Sequence, residues 1–438
     1  MDVSSNTRSG HHDNGLYIGL DLGTSGCRAA AIDAQQQVVA ETARPFPQPA
    51  ECQPSLQQDP WQWWDCIKEV LLLLDDYIDT TRVRAIAVDG TSSTLLLTDR
   101  DCQPLDSALM YYDARSIDEA AQIARIAPAD SGAHGATSSL AKLLNLQQQH
   151  HLLPVYHAMH QSDWITSLLS GQCGISDENN CLKLGYDVVN RCWPDWLDQL
   201  PLKRQLLPRV VQPGTPVGTI QKNMATELGL PLSTQIISGT TDGVAAFLAT
   251  GAHEIGDAVT SLGSTLVIKV LSDAPIFAPE YGVYSHRLGD RWLVGGASNC
   301  GGSTLLKYFS RQQLDKMTEK LQPDRPTGLK YYPLPAIGER FPVSDPDKKA
   351  ELSPRPEDDI IFFQAMLEGI AAVEARGYAL LKKLGAPSLR SVRTVGGGAS
   401  NMAWRHIRQN HLQTAFKETR HLQAAYGTAL LALNQNQN

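Results

Sequence analysis

The chain has 438 residues, of which 42% are hydrophobic and 19% are charged, and its formal net charge is −8. This length predicts at least two domains, and the composition is typical of a globular protein. The acidic balance argues against a nucleic-acid partner, and no apolar run approaches the roughly 20 residues that a membrane span needs.

The start of the chain and its cysteines bear on where the protein works. Residues 1–15 are polar and lack the apolar core of a signal peptide, so we expect a disordered leader and a cytoplasmic protein. The eight cysteines form no Cys-x-x-Cys pair and do not stand at zinc-finger spacing with histidine. We therefore expect free thiols.

A glycine-rich turn between two apolar runs is the first candidate binding element. Residues 16–20 are predicted to form a strand that ends at Asp21, and residues 29–32 a returning strand. The turn 23–26 combines two glycines with two hydroxyls, and a nest of backbone N–H groups of this kind suits a phosphate. The carboxylate of Asp21 suits a phosphate-bound Mg²⁺. An ordinary hairpin turn explains the same residues equally well.

The next segments are predicted to alternate helices and strands. A helix is expected over residues 61–77, where apolar residues recur every three or four positions after Asp59-Pro60. Strands are expected at 84–88 and 95–98, and Ser92 lies in the turn between them. Its hydroxyl could bind a hydroxylated ligand, although turn chemistry alone also explains it. Further on, helices are expected at 138–150 and 162–169, and an irregular segment at 179–194.

Asp242 is the sharpest single candidate in the first half. It lies in a Gly-Thr-Thr-Asp-Gly turn between an expected strand at 234–238 and an expected helix at 244–250. In doubly wound sheets, ligands bind beyond the carboxyl ends of strands, so this carboxylate could act as a general base. A helix N-cap is the competing explanation, and the pattern alone favours it.

The second half opens with a copy of the first turn. Gly263, Ser264 and Thr265 follow an expected strand at 257–260 and precede another at 266–268. This repeat favours phosphate binding by both turns, and it predicts a duplicated domain whose halves face one nucleotide across a cleft. No Gly-Lys-Ser/Thr follows either turn, so neither is a P-loop.

Glycine-rich turns and one long helix dominate the remaining chain. Residues 292–294 are expected to form a strand that is followed by a turn at 295–302, and residues 323–356 a mobile surface segment. Long and short helices are expected at 362–384, 402–409 and 421–433.

The turn at 396–401 contains three consecutive glycines after an expected strand at 392–395. Bare backbone at Gly397 and Gly398, directly before a helix, would let a flat ligand lie close to the chain. A turn that merely needs a positive φ is the alternative explanation.

The first turn, Asp-x-Gly-Thr-Ser-Gly-x-Arg over residues 21–28, resembles the opening motif of the FGGY carbohydrate kinases, and the paired hairpins resemble the actin-like, ribonuclease-H-like ATPase fold. The resemblance implies an α/β protein with two actin-like domains and a nucleotide cleft between them. A sugar-binding domain would span residues 1–249, and a nucleotide-binding domain residues 250–438.

The resemblance also implies a role for each candidate residue. The family carries its catalytic Asp in a Gly-x-x-Asp turn, which implies that Asp242 accepts the proton of the substrate hydroxyl. The implied substrate-binding residues are Asp21, Ser25, Arg28, Ser92 and Asp242, and Asp21 is also the implied Mg²⁺ residue. The implied ATP-binding residues are Gly23, Thr24, Gly263, Ser264, Gly397, Gly398 and Asn401.

Two stretches depart from the family pattern. Tyr111 stands where the family's Trp-x-Asp-x-Arg sugar stretch has Trp, so the contact of Asp113 and Arg115 with the sugar stays open. The second phosphate turn reads Gly-Ser-Thr where Gly-Thr-Ser is usual, and it keeps both hydroxyls.

Five further stretches resemble the short cyanobacterial and plant branch of the family, whose members resemble D-ribulose kinases: 137–142, 161–164, 183–186, 282–286 and 331–335. This resemblance implies ATP- and Mg²⁺-dependent phosphorylation of a ketopentose, D-ribulose, to its 5-phosphate by a monomer or homodimer. The alternatives are a kinase for D-xylulose or another ketose or polyol, an actin- or chaperone-like ATPase, and a silent sugar sensor.

Overall fold

The computed structural model describes residues 14–47 and 56–434. The expected leader, apart from residues 14 and 15, lies outside these ranges, as does Cys52. Among the described residues, no helix combines the length and the apolar character that crossing a bilayer requires.

The regular elements are numbered in chain order. The strands are β1 Leu16–Leu22, β2 Gly26–Asp33, β3 Val38–Pro45, β4 Gln57–Gln58, β5 Val83–Gly90, β6 Leu95–Thr98, β7 Ala108–Leu109, β8 His157–His160, β9 Ile175–Asp177, β10 Arg209–Val211, β11 Pro216–Thr219, β12 Gln235–Ile237, β13 Asp257–Leu262, β14 Leu266–Ser272, β15 Tyr284–Leu288, β16 Arg291–Ser298, β17 Ser391–Val395 and β18 Ala415–Phe416. The α-helices are α1 Pro60–Asp75, α2 Ile117–Ile126, α3 Ser139–Gln149, α4 Gln161–Ser170, α5 Glu178–Cys181, α6 Lys222–Glu227, α7 Asp242–Ala249, α8 Gly302–Leu305, α9 Arg311–Thr318, α10 Asp359–Lys383, α11 Met402–Leu412 and α12 Ala424–Asn434.

Two six-stranded sheets form the centres of the two halves. The first has the order β11-β12-β5-β1-β2-β3 and the second β15-β16-β14-β13-β17-β18. Each is built outward from an antiparallel hairpin, β1-β2 or β13-β14, whose first strand also pairs in parallel with a later strand, β5 or β17. The predicted duplication and the two-domain actin-like α/β fold are confirmed.

The last helix packs against the first sheet rather than the second. Small residues of α12 share a buried cluster with Tyr17 of β1 and Ala87 of β5. Gly19 allows this close approach, because a Cβ there would lie 2.0 Å from the carbonyl oxygen of Ala425. The predicted domain boundary between residues 249 and 250 therefore remains a proposal, because α12 follows it in the sequence but packs on the first half.

Most predicted elements exist with small shifts at their ends. Helix α1 follows Asp59, whose side chain accepts a hydrogen bond from the N–H of Trp61 at 3.0 Å, as the Asp-Pro signal predicts. Strand β6 has the bounds that were predicted. The segment 179–194 is less irregular than expected, because it begins within α5 and continues as a 3₁₀ turn, Leu182–Leu184.

Two expectations for the second half are wrong. Strand β16 continues to Ser298, so residues 295–298 are not a turn. Gly296 faces Phe341 there, and a Cβ would lie 2.5 Å from the ring. The segment 323–356 has little regular structure, yet it is not a loose surface segment, because Tyr332, Leu334 and Phe341 are buried in the core of the second half.

The expectation of free thiols is also wrong for one pair. Cys102 and Cys173 form a disulfide across 71 residues of sequence, with their Cα atoms 6.2 Å apart. Because the two cysteines are so far apart in the sequence, their spacing does not indicate a pair. Only the fold brings them together. The other described cysteines are free: Cys27, Cys66, Cys181, Cys192 and Cys300.

Candidate active site

Three carboxylates meet at the carboxyl ends of neighbouring strands in the first sheet. Asp21 and Asp89 are register partners on β1 and β5, and each is the penultimate residue of its strand. Gly90 forms a bridge with Thr241, the residue before Asp242. The sheet itself therefore assembles what we call the carboxylate cluster: Asp21, Asp89 and Asp242.

Burial raises the pKa values of two carboxyl groups in this cluster, those of Asp21 and Asp89. Burial raises the pKa of Asp21, against the opposing effects of a hydrogen bond with Asp89 and the charge of Arg28. Asp89 is fully buried, and burial together with the charge of Asp21 holds its pKa well above the usual range. The hydroxyl of Thr428, on α12, donates to Oδ2 of Asp89. Asp21 and Asp89 thus share one hydrogen-bonded pair, in which burial favours the protonated form of Asp89.

Asp242 is not the helix N-cap that its pattern favours. The cap position belongs to Thr241, and Asp242 is the first residue of α7. Its Oδ1 accepts a hydrogen bond from the N–H of Gly243 at 2.6 Å. Burial and the charge of Asp21 raise the pKa of Asp242 to about 6. This carboxylate is therefore ionised at neutral pH and retains enough basicity to accept a proton.

The second half brings positive charge to Asp242. Lys269 of β14 donates a hydrogen bond from its ammonium group to the carbonyl oxygen of Gly243, and burial lowers the pKa of Lys269 to about 8. The charges of Lys269 and Lys183 both act to lower the pKa of Asp242. A phosphoryl group that reached Asp242 would meet these cations, which oppose its negative charge.

The two predicted phosphate turns have the same construction. Residues 23–25 join β1 to β2, and residues 263–265 join β13 to β14. In each turn, the N–H of the leading glycine donates to a carbonyl oxygen across the turn, at 3.0 Å in the first and 3.2 Å in the second. Thr24 is partly exposed and Ser264 is exposed, so both hydroxyls are accessible.

The surroundings of Asp21 fit a hydrated magnesium ion. Its Oδ2 lies 3.3 Å from the guanidinium of Arg28, which is 44% exposed, and Ser25 is exposed on the same turn. Mg²⁺ takes hard oxygen ligands, usually one or two carboxylates with waters and substrate phosphates. A strand-end carboxylate beside a phosphate-type turn supplies that donor set.

The candidate sugar residues lie on turns next to the carboxylate cluster. Ser92 follows Thr91, whose N–H and hydroxyl both donate to the side chain of Gln161, at 3.0 and 2.9 Å. Asp113 is fully buried and forms an ion pair with Arg115 at 2.7 Å. The carboxylate of Asp113 is therefore committed to Arg115, and the partly exposed guanidinium is the group of this pair that a ligand can reach.

A buried lysine ties these turns together. The ammonium of Lys142 donates to the carbonyl oxygens of Ser93 and Met110, at 2.8 and 2.7 Å, and its side chain is fully buried. Burial lowers its pKa to about 7, while the charge of Asp113 acts in the opposite direction. Lys142 thus fixes the turn that carries Ser92 relative to the stretch that leads to Asp113.

A cavity of about 630 Å³ in the second half contains most of the predicted nucleotide residues. Its lining combines Gly263 and Ser264 with Gly397, Gly398 and Asn401. Gly23 and Thr24 of the first turn are not among the described residues that line it. The structure thus brings five of the seven predicted ATP residues together.

The third glycine-rich turn is shaped mainly by packing. Gly396 has a φ of +86°, and a Cβ at Gly398 would lie 2.6 Å from the ring of Trp404, whereas Gly397 faces open space. Asn401 caps α11 by accepting a hydrogen bond from the N–H of Trp404 at 2.9 Å, and its amide donates to Thr318. Gly397 therefore offers the bare backbone that was expected of this turn, whereas the missing side chain of Gly398 makes room for Trp404.

Sequence reasoning missed Asp89 and Lys269 as members of the site, and also the cavity residues Arg311, Phe363 and Trp404. Asp89 ends a strand as Asp21 does, so its position was a usable signal. The others come from elements far apart in the chain, and no spacing connects them to the glycine-rich turns.

Comparison with known proteins identifies relatives over nearly the whole chain. Models of the N-terminal and C-terminal domains of the FGGY family of carbohydrate kinases match residues 16–249 and 258–435. A xylulose kinase of Escherichia coli (strain K12) is 24% identical over 90% of this chain and 84% of its own. A structure from Brucella ovis, called a "xyloylose kinase", has a TM-score of 0.86 at 24% identity, covering 96% of this chain and 90% of its own. A Plasmodium falciparum glycerol kinase with ADP has a TM-score of 0.83 at 17% identity, covering 96% and 89%.

Proposed function

Because the chain belongs to the FGGY family of carbohydrate kinases, we propose that it transfers the γ-phosphoryl group of ATP to a hydroxyl of a ketopentose. The observation that carries this proposal is Asp242, an ionised carboxylate at the start of α7 with a pKa of about 6. It stands beside Asp21 and is approached by the ammonium of Lys269 from the second half.

In the proposed reaction, Asp242 orients the sugar hydroxyl and accepts its proton as the oxygen bonds to the γ-phosphorus. Lys269 and Lys183 supply positive charge where the transferred group carries negative charge. Asp21 would hold Mg²⁺, which when bound neutralises phosphate charge. Asp89 would orient Asp21 through the hydrogen bond between the two carboxyl groups.

For ATP, we propose that Gly263 and Ser264 bind the phosphates and that the backbone of Gly397 and Gly398 lies beside the adenosine. Their common cavity of about 630 Å³ supports this assignment. Gly23 and Thr24 would reach the phosphates from the other half of the molecule. Asn401 would act through the helix that it caps.

Two ketopentoses are candidates for the acceptor. For either one, the proposed binding residues are Asp21, Ser25, Arg28, Ser92 and Asp242. D-xylulose is the better supported by the relatives, since the E. coli relative and others from Klebsiella pneumoniae and Bacillus subtilis are xylulose kinases. D-ribulose follows from the branch resemblance of the sequence. A cytoplasmic location and a monomeric or homodimeric state remain predictions.

A coupled assay of ADP release tests the proposal against a panel of ketopentoses, other ketoses, aldoses and polyols. We expect turnover that requires a ketopentose, and the ratio of kcat/KM for D-xylulose and D-ribulose decides between the two acceptors. ATP hydrolysis of equal rate without any acceptor would favour the actin- or chaperone-like ATPase. Sugar binding without turnover would favour a sensor.

A further inference from the structure

Three ligand-type side chains converge at a place that the kinase reaction does not use. Cys102 lies in the turn after β6, Cys173 lies between α4 and β9, and His157 begins β8. Their sulfur and ring-nitrogen atoms all lie within 4.8 Å of one another. We call this group the Cys–His site.

The strands explain why the histidine faces the cysteines. Thr98 at the end of β6 pairs with His157 on β8, so the turn that carries Cys102 passes beside the imidazole. Side chains two residues apart on a strand share a face, and Met159 accordingly joins the group. Its sulfur lies 3.9 Å from that of Cys102.

The Cys–His site is accessible and separate from the carboxylate cluster. A cavity of about 490 Å³ borders both Cys102 and Cys173, and none of the described residues of the carboxylate cluster lines it. His157 and Cys173 are partly exposed, whereas Cys102 is buried. A small ion and a reductant could therefore both reach the sulfur atoms.

We propose that the Cys–His site is a redox-controlled metal site. In the disulfide form it binds no metal. When a dithiol reductant transfers two electrons and two protons to the Cys102–Cys173 bond, the reductant becomes a disulfide and the protein gains two thiols. The reduced site then binds one divalent thiophilic cation through both sulfurs and the imidazole of His157, and the two thiols release their protons on binding.

The donor set selects the class of ion. Two thiolates and an imidazole are a ligand combination that Zn²⁺ takes at about 2.0 to 2.3 Å, with a fourth position left for water or another ligand. Met159 adds a soft thioether beside Cys102, and soft donors disfavour Mg²⁺ and Ca²⁺. The metal meant here is thus a zinc-type ion and not the magnesium of the kinase reaction.

The disulfide form and the metal-bound form would both join the turn after β6 to the segment after α4. The indole N–H of Trp164 on α4 donates to the carbonyl oxygen of Cys102 at 2.9 Å, so the turn and the helix are already in contact. A disulfide or a shared metal ion would each fasten Cys102 to the segment that follows α4. The exchange between them therefore keeps the same two segments joined while the two sulfur atoms move apart to bind the ion.

Anaerobic titration of the full-length chain with Co²⁺, before and after reduction by a phosphine whose excess is removed, tests the proposal. We expect the reduced protein to bind one Co²⁺ per chain with thiolate-to-metal absorption in the near ultraviolet, and Zn²⁺ to displace it. The oxidised protein should show no such absorption. This readout is independent of kinase activity, so the two proposals can fail separately.

Variants identify the ligands. Cys173→Ser should weaken Co²⁺ binding and reduce the thiolate absorption, and His157→Ala should weaken Co²⁺ binding, whereas Cys192→Ser, at an exposed free cysteine, should change neither. Circular dichroism spectra and the activity of each variant establish that it is folded. A reduced, folded protein without thiolate–Co²⁺ absorption, or absorption and Co²⁺ affinity that Cys173→Ser leaves unchanged, would overturn the proposal.

Discussion

The reactivity of Asp242 depends on opposing charges around one carboxylate. Asp21 and burial raise its pKa, and the cations Lys269 and Lys183 lower it. The balance lies at about 6, close to the working range of a general base. Changes to individual groups should therefore alter catalysis in separable ways.

Asp242→Asn should remove turnover while sparing nucleotide binding. The amide keeps the shape of the carboxylate, but it cannot accept the hydroxyl proton, and general-base contributions are about 10²- to 10⁴-fold. ATP should still bind, because the cavity that contains Gly263 and Gly397 does not include Asp242. The measurements are kcat and a calorimetric titration of ATP into the variant.

A matched variant strengthens this test. Asp21→Asn should weaken the Mg²⁺ dependence as well as turnover, because Asp21 is the proposed metal residue. If Asp242→Asn keeps more than about a tenth of the wild-type kcat, well short of a general-base loss, the base lies elsewhere.

Lys269→Met should move the acidic limb of the pH–rate profile to higher pH. The ammonium favours the ionised form of Asp242, so its removal raises the pKa of the base above about 6. Since the base works only when ionised, kcat/KM should fall more at pH 6 than at pH 8. Lys269→Arg keeps the charge and serves as the control; an unshifted limb in Lys269→Met would contradict this electrostatic role.

At the scale of elements, one buried ion pair joins the long helix α10 to α11. The guanidinium of Arg408 donates to both carboxylate oxygens of Glu374, at 2.6 and 2.7 Å, and neither side chain is more than 1% exposed. The hydroxyl of Thr260 on β13 donates to the same carboxylate. The pair thus fastens two helices to the second sheet.

Arg408→Met should destabilise the protein by about 3–5 kcal/mol, because it leaves the carboxylate of Glu374 buried without its cation. Urea unfolding followed by circular dichroism measures the change. Combining it with Glu374→Leu should recover most of the loss, since an apolar pair needs no charge compensation. A double variant as unstable as the single one would mean that packing, and not unpaired charge, causes the loss.

Local patterns could predict the elements that carry their own signals, but not the contacts that long loops make. Strand β6 and helix α1 were predictable from apolar runs and an Asp-Pro start. The segment 323–356 has no periodicity, and its anchoring through Phe341 depends on a partner strand far away in sequence. The Cys102–Cys173 disulfide could not be predicted for the same reason, because its two residues are far apart in the sequence.

The residues of the candidate active site likewise differ in whether a local sequence pattern could locate them. Asp21, Asp242 and the turn at Gly263 each stand at the end of an apolar run, so sequence could locate them. Lys269 is one polar residue within a strand, and only the packing of the two halves places it at Gly243. The cap formed by Asn401 depends on the direction of its side chain, which sequence does not show.

At the scale of the whole molecule, the proposed phosphate contacts come from both halves. The nucleotide cavity is lined from the second half, whereas Gly23 and Thr24 belong to the first sheet. The halves also touch through Asn179, whose amide exchanges hydrogen bonds with the backbone N–H and carbonyl oxygen of Arg287, at 2.9 and 3.0 Å. That contact holds the two halves together outside the nucleotide cavity.

Binding of a non-hydrolysable ATP analogue together with the ketopentose should close the two halves. Closure would bring the first turn to the phosphates and exclude water from the reaction. Small-angle scattering should show a smaller radius of gyration with both ligands than with neither, with each ligand alone as a control. An unchanged radius in the presence of both would argue for a rigid site.

The position of α12 affects how the protein is made. A ribosome delivers the first sheet early, but the face of β1 and β5 that carries Tyr17 and Ala87 also packs against α12, at residues 424–434. Until that helix leaves the exit tunnel, the nascent first half lacks part of its apolar packing, and partly folded chains with exposed apolar surface are prone to aggregate. Thr428 also reaches Asp89 only then. The first sheet is thus completed after translation of the second half.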